Sequence, residues 1–123
     1  MTANRVLCVE DDEDTREMLK VKLELFDFEA VVAPDADTAL NLLGRERFSL
    51  YLIDGGMQDA AGQSLCSQIR AADARAPIVI FSGHARVSDI EAGIRAGANA
   101  YLVKPDPAAL IPTINRLLAA TAE

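Results

Sequence analysis

The chain has 123 residues, half of them hydrophobic and a quarter charged, with a formal net charge of −7. One packed domain over residues 1–123 is expected; a disordered chain is excluded, and the acidic balance disfavours direct nucleic-acid binding, which needs clustered Lys and Arg. No apolar run reaches the ~18–20 residues of a membrane span, no secretory signal opens the chain, and Cys8 and Cys66 are too few for a disulfide framework, so a cytoplasmic protein is expected.

Short apolar segments alternate with longer amphipathic ones. Arg5–Val9 is the first predicted strand. A helix over about Asp14–Leu25 follows, with Asp14 and Glu17 spaced as a capping box and Met18, Val21 and Leu25 as its inward stripe. Glu29–Ala33 is the second strand. The helix after Asp35 turns Ala39, Leu40 and Leu43 inward and stops at Gly44. Ser49–Ile53 is the third strand. A helix from about Gly62 to Asp73 carries Leu65, Cys66 and Ile69. Ile78–Ser82 is the fourth strand, and the helix Ser88–Ala96 turns Ile90 and Ile94 inward and ends at Gly97. Ala100–Val103 is the fifth strand. The last helix follows Pro107 and carries Leu110, Ile111, Ile114, Leu117 and Leu118. Pro112 lacks a donor and clashes one turn back inside a helix, which places the helix start near Pro112 after a looser turn.

The strands read as nearly continuous Val, Leu and Ile, the pattern of strands buried on both faces. Five strands alternating with five helices predict an α/β fold, a doubly wound parallel sheet with helices on both faces. In such sheets function gathers at the carboxyl ends of the strands. Those ends carry Glu10-Asp11-Asp12-Glu13-Asp14, then Asp54, Ser82 and Lys104-Pro105. Clustered carboxylates cannot all stay ionised without an opposing charge. A hard divalent cation such as Mg²⁺, which takes oxygen ligands, offsets them, and Glu10, Asp11 and Asp54 suit that role. The plainer alternative for the acidic run is a solvated turn capping a helix. Asp54 follows four apolar strand residues, so its carboxylate lies at the rim of a core, where it could attack phosphorus. Gly55-Gly56 allows a close backbone turn behind it. Lys104 could pair with Asp54, and a cis Lys104–Pro105 bond would aim its side chain across the site. The Ser82 hydroxyl could donate to a phosphoryl oxygen, or simply satisfy a backbone group.

Four motifs then stand in register: Val-Glu-Asp-Asp-Glu, Leu-Ile-Asp-Gly-Gly-Met with Gly62 downstream, Ile-Phe-Ser-Gly-His, and Gly-Ala-Asn-Ala-Tyr-Leu-Val-Lys-Pro. The sequence resembles the receiver domain of two-component response regulators over essentially its whole length. That resemblance implies a flavodoxin-like fold with strand order 2-1-3-4-5. It also implies that Asp54 is the phosphoacceptor and that Glu10 and Asp11 are the family's acidic pair. Mg²⁺ would be held by Asp11, Asp54 and the backbone carbonyl of Gly56. Ser82 would be the hydroxyl that follows the phosphoryl group, Lys104 the motif lysine, and Tyr101 the aromatic rotamer switch. His84 lies near the phosphoryl position as a possible modulator.

The implied function is a phosphorylation switch. The domain accepts a phosphoryl group from a sensor histidine kinase or a phosphotransfer protein. It promotes its own phosphotransfer and dephosphorylation without being an enzyme acting on a separate substrate. The repacked face of the fourth helix, fifth strand and fifth helix would then serve a downstream output domain or protein, or homodimerisation. The chain departs from the family in Met57-Gln58, where Met-Pro is usual, and in the short connection Asp106-Pro107. A looser loop after Asp54 is expected. Two other classes compete. One is a non-phosphorylated pseudo-receiver that acts as an interaction module. The other is a small enzyme of flavodoxin or haloacid-dehalogenase type, for which the five acids after the first strand, and Asp12-Glu13-Asp14 beyond the strand end, are poorly suited.

Overall fold

The structure, a computed structural model, describes residues 4–58, 63–84, 86–104 and 107–121. Five strands, β1 (Arg5–Val9), β2 (Glu29–Ala33), β3 (Leu50–Ile53), β4 (Ile78–Ser82) and β5 (Ala100–Val103), form one sheet in the order β2-β1-β3-β4-β5. Every pairing is parallel, with Val6, Leu7, Cys8 and Val9 of β1 opposite Leu50, Tyr51, Leu52 and Ile53 of β3. The expected fold class and strand order are thus observed. Among the described residues no helix is long and apolar enough to cross a membrane.

The continuous apolar strands are explained by two separate cores. Leu7, Val9, Tyr51, Ile53, Ile78 and Ile80 face one layer, with Leu65, Cys66 and Ile69. Val6, Cys8, Leu50, Leu52, Val79 and Phe81 face the other, with Leu19, Leu23, Leu110 and Ile114. Alternate residues of one strand point to opposite faces, so a strand covered on both sides needs an apolar side chain at every position. The helices α2 (Ala36–Leu43) and α3 (Leu65–Ala72) cover the first face; α1 (Glu13–Leu25) and α5 (Leu110–Thr121) cover the second. The remaining helix, α4 (Val87–Ala96), lies beside the edge strand β5 and has no fully buried residue.

Five expectations change. The cap of α1 is Asp12, not Asp14: its carboxylate accepts from the Thr15 amide at 2.9 Å and from the Thr15 hydroxyl at 2.6 Å. The inward residues of α1 are Leu19 and Leu23, whereas Met18, Val21 and Leu25 are exposed. Ile94 likewise points outward from α4. Finally, α5 starts at Leu110, so Pro112 sits within its first turn, where an amide has no partner inside the helix to lose. Within the described residues α3 is shorter than expected, opening at its Ser64 cap. Gly62 and the Lys104–Pro105 bond fall on residues outside the described ones.

Candidate functional site

The carboxyl ends of β1, β3, β4 and β5 bring the predicted residues to one edge of the sheet. Parallel pairing puts Val9 opposite Ile53, so Glu10 and Asp54, each one residue further on, emerge side by side. The Asp54 amide donates to the Val9 carbonyl at 3.0 Å and the Glu10 amide to the Ala33 carbonyl at 3.1 Å, which fixes both backbones at the sheet rim. Ser82 and Val103 pair at the ends of β4 and β5, and the Lys104 amide donates to the Ser82 carbonyl at 2.8 Å.

Carboxylate oxygens of Glu10, Asp11 and Asp54 lie within 4.8 Å of one another, with Glu10 buried, Asp54 half-buried and Asp11 exposed. The set offers only oxygen, the chemistry of a hard divalent cation. Lys104 reaches into the same cluster. Its ammonium contacts Glu10 Oε1 at 2.5 Å and Asp54 Oδ2 at 3.5 Å, and it lies over the Phe81 ring at 5.7 Å. The expected Lys104–Asp54 pair is present, and Lys104 makes a closer one with Glu10. Burial works against the Lys104 charge, but the Glu10 hydrogen bond and the Asp54 carboxylate outweigh it and hold the ammonium pKa above its ordinary value. Burial pushes the Glu10 carboxyl upward, against the pull of Lys104 and the Asp12 amide. The Asp12 amide donates to Glu10 Oε2 at 3.1 Å.

Behind Asp54 the chain turns. The Gly56 amide donates to Asp54 Oδ1 at 3.2 Å and the Met57 amide to the Asp54 carbonyl at 3.2 Å. Gln58 and Ser64 form an isolated antiparallel bridge, and the Leu65 amide donates to the Met57 carbonyl at 3.2 Å.

Ser82 is fully buried, and its hydroxyl accepts from the His84 amide at 3.1 Å. The Tyr101 hydroxyl donates to the His84 carbonyl at 2.7 Å. His84 therefore joins Ser82 to Tyr101 through its backbone, while its residue is exposed. Two contributors were not singled out from sequence. Arg16 donates to the Glu10 carbonyl at 3.0 Å, one turn into α1, and Phe81 supplies the ring under Lys104. Neither belongs to a spacing that marks a site; only the fold brings them there. Asp12 is occupied as the α1 cap, and its hydrogen bonds from the Thr15 hydroxyl and amide hold its carboxyl below the usual range.

A family model described as response regulator receiver domain matches residues 6–115. A 14.6 kDa protein of the sodA1 3' region of Leptolyngbya boryana is 37% identical over 114 residues, covering 90% of this chain and 87% of that protein. The transcriptional regulatory protein PrrA of Mycobacterium tuberculosis is 37% identical over 105 residues, covering 85% of this chain and 45% of PrrA. The chain thus spans less than half the length of that regulator. Among solved structures, a CheY-like response regulator receiver domain protein from Methanospirillum hungatei JF-1 superposes with a TM-score of 0.88 at 26% identity, covering 98% of this chain and 97% of that one. The receiver domain of the sensor histidine kinase PA1611 from Pseudomonas aeruginosa PAO1, solved with a magnesium ion coordinated in its active-site cleft, superposes with a TM-score of 0.84 at 27% identity, covering 95% and 98%.

Proposed function

Because this chain belongs to the response regulator receiver domain family, we propose that it is a phosphorylation switch with Asp54 as phosphoacceptor. The observation that carries the reading is the convergence of Glu10, Asp11, Asp54 and Lys104 from three strand ends on one point. Asp11, Asp54 and the Gly56 carbonyl would hold Mg²⁺, with Glu10 completing the acidic set. When bound, the ion offsets charge on the reacting phosphoryl oxygens. Phosphoryl transfer asks the protein mainly for positioning and electrostatics. An Asp54 oxygen forms the new bond to phosphorus as the bond to the donor breaks; a phosphohistidine leaves as imidazole. The Lys104 ammonium, already beside Asp54, neutralises the added charge, and the Ser82 hydroxyl donates to a phosphoryl oxygen. Hydrolysis of the aspartyl phosphate resets the chain. The domain acts on its own carboxylate and on no separate substrate.

The donor would be a sensor histidine kinase or a phosphotransfer protein. The readout would be the α4–β5–α5 face, where Val87, Ile94 and Val103 leave apolar side chains exposed beside the Tyr101 contact. An output domain, a separate protein or a second copy would dock there. A single domain over residues 1–123 and a cytoplasmic location complete the reading. The test is intact mass after incubation with Mg²⁺ and a small acyl phosphate. One phosphoryl adduct is expected on the native chain, with none in Asp54→Asn and none when Mg²⁺ is chelated. An adduct that persists in Asp54→Asn, or failure to bind Mg²⁺ at all, would overturn the proposal.

A further inference from the structure

In the interior of α4, glycine is the poorest helix former after proline, so helix formation gives no reason for Gly93. Packing does. A Cβ built at Gly93 would stand 2.8 Å from Ile80 Cδ1, 3.0 Å from Tyr101 Cδ2 and 3.2 Å from Tyr101 Cε2. Ile80 Cδ1 ends a side chain that would have to turn, and the Tyr101 ring carbons would have to give by a few tenths of an ångström. Ile80 belongs to β4 and is 3% exposed within the core. The Tyr101 ring is held at its far end by the hydroxyl bond to the His84 carbonyl. The Gly93 carbonyl in turn lies 3.9 Å from Cys66 Sγ of α3 and accepts from the Ala98 amide at the end of its own helix. The ring lies against bare helix backbone, and its hydroxyl continues through His84 to Ser82. The Ser82 end is built alike: a Cβ at Gly55 would stand 2.8 Å from both Ser82 Cβ and Ser82 Oγ.

We infer that Gly93 is a positioning residue of the switch: the space left by its missing side chain is the seat of the Tyr101 ring, and filling that space uncouples Tyr101 from the His84–Ser82 hydrogen bonds, whose Ser82 end packs against Gly55, the residue after Asp54. The inference deepens the phosphoacceptor reading of Asp54 and, in its final link, rests on it. A side chain at residue 93 competes with the ring for one volume. It therefore biases the ring without touching the carboxylates, none of which is among the atoms near a Cβ at Gly93.

The full chain holds only two tyrosines. Labelled with 3-fluorotyrosine, it gives two fluorine resonances, and Tyr101→Phe assigns them. In Gly93→Ala the Tyr101 resonance is expected to move toward its solvent-exposed position, with a larger shift between H2O and D2O. The Tyr51 resonance stays in place, and Asp54 still takes its adduct from Mg²⁺ and acyl phosphate. Adding Ile80→Val, which deletes the nearest clashing methyl, returns the Tyr101 resonance part of the way. An unmoved Tyr101 resonance in Gly93→Ala overturns the seat. So does a loss of both resonances together, which marks a general packing defect, and so does a failure of Ile80→Val to restore the signal. Absence of an adduct on the native chain defeats the phosphoacceptor reading instead, and is read by mass independently of the fluorine signals.

Discussion

Tyr51 and Asp73 show how a buried polar group is held in an apolar sheet. Tyr51 is fully buried in β3, yet its hydroxyl reaches Asp73 Oδ2 at 2.9 Å at the end of α3. The other Asp73 oxygen accepts from the Arg75 and Ala76 amides, each at 3.0 Å. Burial pushes the Tyr51 phenol well above its ordinary range. For Asp73 burial pushes upward too, but the Ala76 and Arg75 amides and the Tyr51 hydroxyl outweigh it, so its carboxyl titrates below the usual value. A carboxyl with a depressed folded pKa stabilises the fold above its unfolded pKa, near 3.9, and that contribution disappears as pH falls through the folded value. Tyr51→Phe should cost about 1 kcal/mol by urea unfolding at neutral pH. It should also flatten the acid dependence of stability below about pH 4. Equal stability of the two chains from neutral to acid pH would count against this account. The thiols give a second expectation. Burial raises the Cys8 pKa to about 12 and raises that of Cys66 as well. Both side chains are sequestered in opposite layers. Iodoacetamide at neutral pH should leave the folded chain unmodified and alkylate both thiols in denaturant.

Among the elements, α4 is the one whose footing could not be read from its own residues. The spacing of Ile90 and Ile94 suggested a buried stripe, but beside an edge strand only part of the helix is covered, and Ile94 faces outward. The α1 stripe misleads for a related reason. Met18, Val21 and Leu25 and the pair Leu19 and Leu23 all meet helical spacing, and only the sheet decides which set is inward. What fastens α4 is a residue of α3. The Arg70 guanidinium donates to the Gly97 carbonyl at 3.2 and 2.9 Å, to Asn99 Oδ1 at 2.8 Å, and to the Asp73 and Ala76 carbonyls. Gly97 has φ 121°, and a Cβ there would stand 2.9 Å from Arg70 Cγ, so the glycine answers both the backbone and the arginine. Arg70→Ala should cost about 2–3 kcal/mol, because several charge-assisted bonds go and carbonyls are left without a partner. It should also speed amide exchange at the carboxyl end of α4 ahead of α1. Uniform exchange rates in the variant would show that Arg70 does not anchor that end.

For the molecule as a whole, the sheet is common to two cores, so neither can be lost alone. Leu23→Ala on the α1 side and Ile69→Ala on the α3 side should each cost about 2–5 kcal/mol. Each should lower one shared transition, seen alike by helical ellipticity and by tyrosine absorbance; separate midpoints would indicate independent layers. The alternation of apolar runs and the acidic, hydroxyl and amine groups at strand ends make the fold and most of the candidate site legible in the sequence. What remained hidden depends on neighbours distant in the chain. The preference of Lys104 for Glu10 over Asp54 arises across 94 residues. The value of Gly93 exists only because Ile80 and Tyr101 arrive beside it. The choice of Asp12 over Asp14 as the cap was hidden by five consecutive acids, three of them aspartates that can cap a helix.

The Arg70 fastening also has a mechanical meaning. A helix tied at Gly97 and exposed at Val87 is a lever with its pivot at the carboxyl end. At 1.5 Å per residue, Gly93 lies about 6 Å from that fulcrum and Val87 about 15 Å. A small tilt imposed where the Tyr101 ring bears on the helix would be multiplied more than twofold at the tip, leaving the anchored end nearly still.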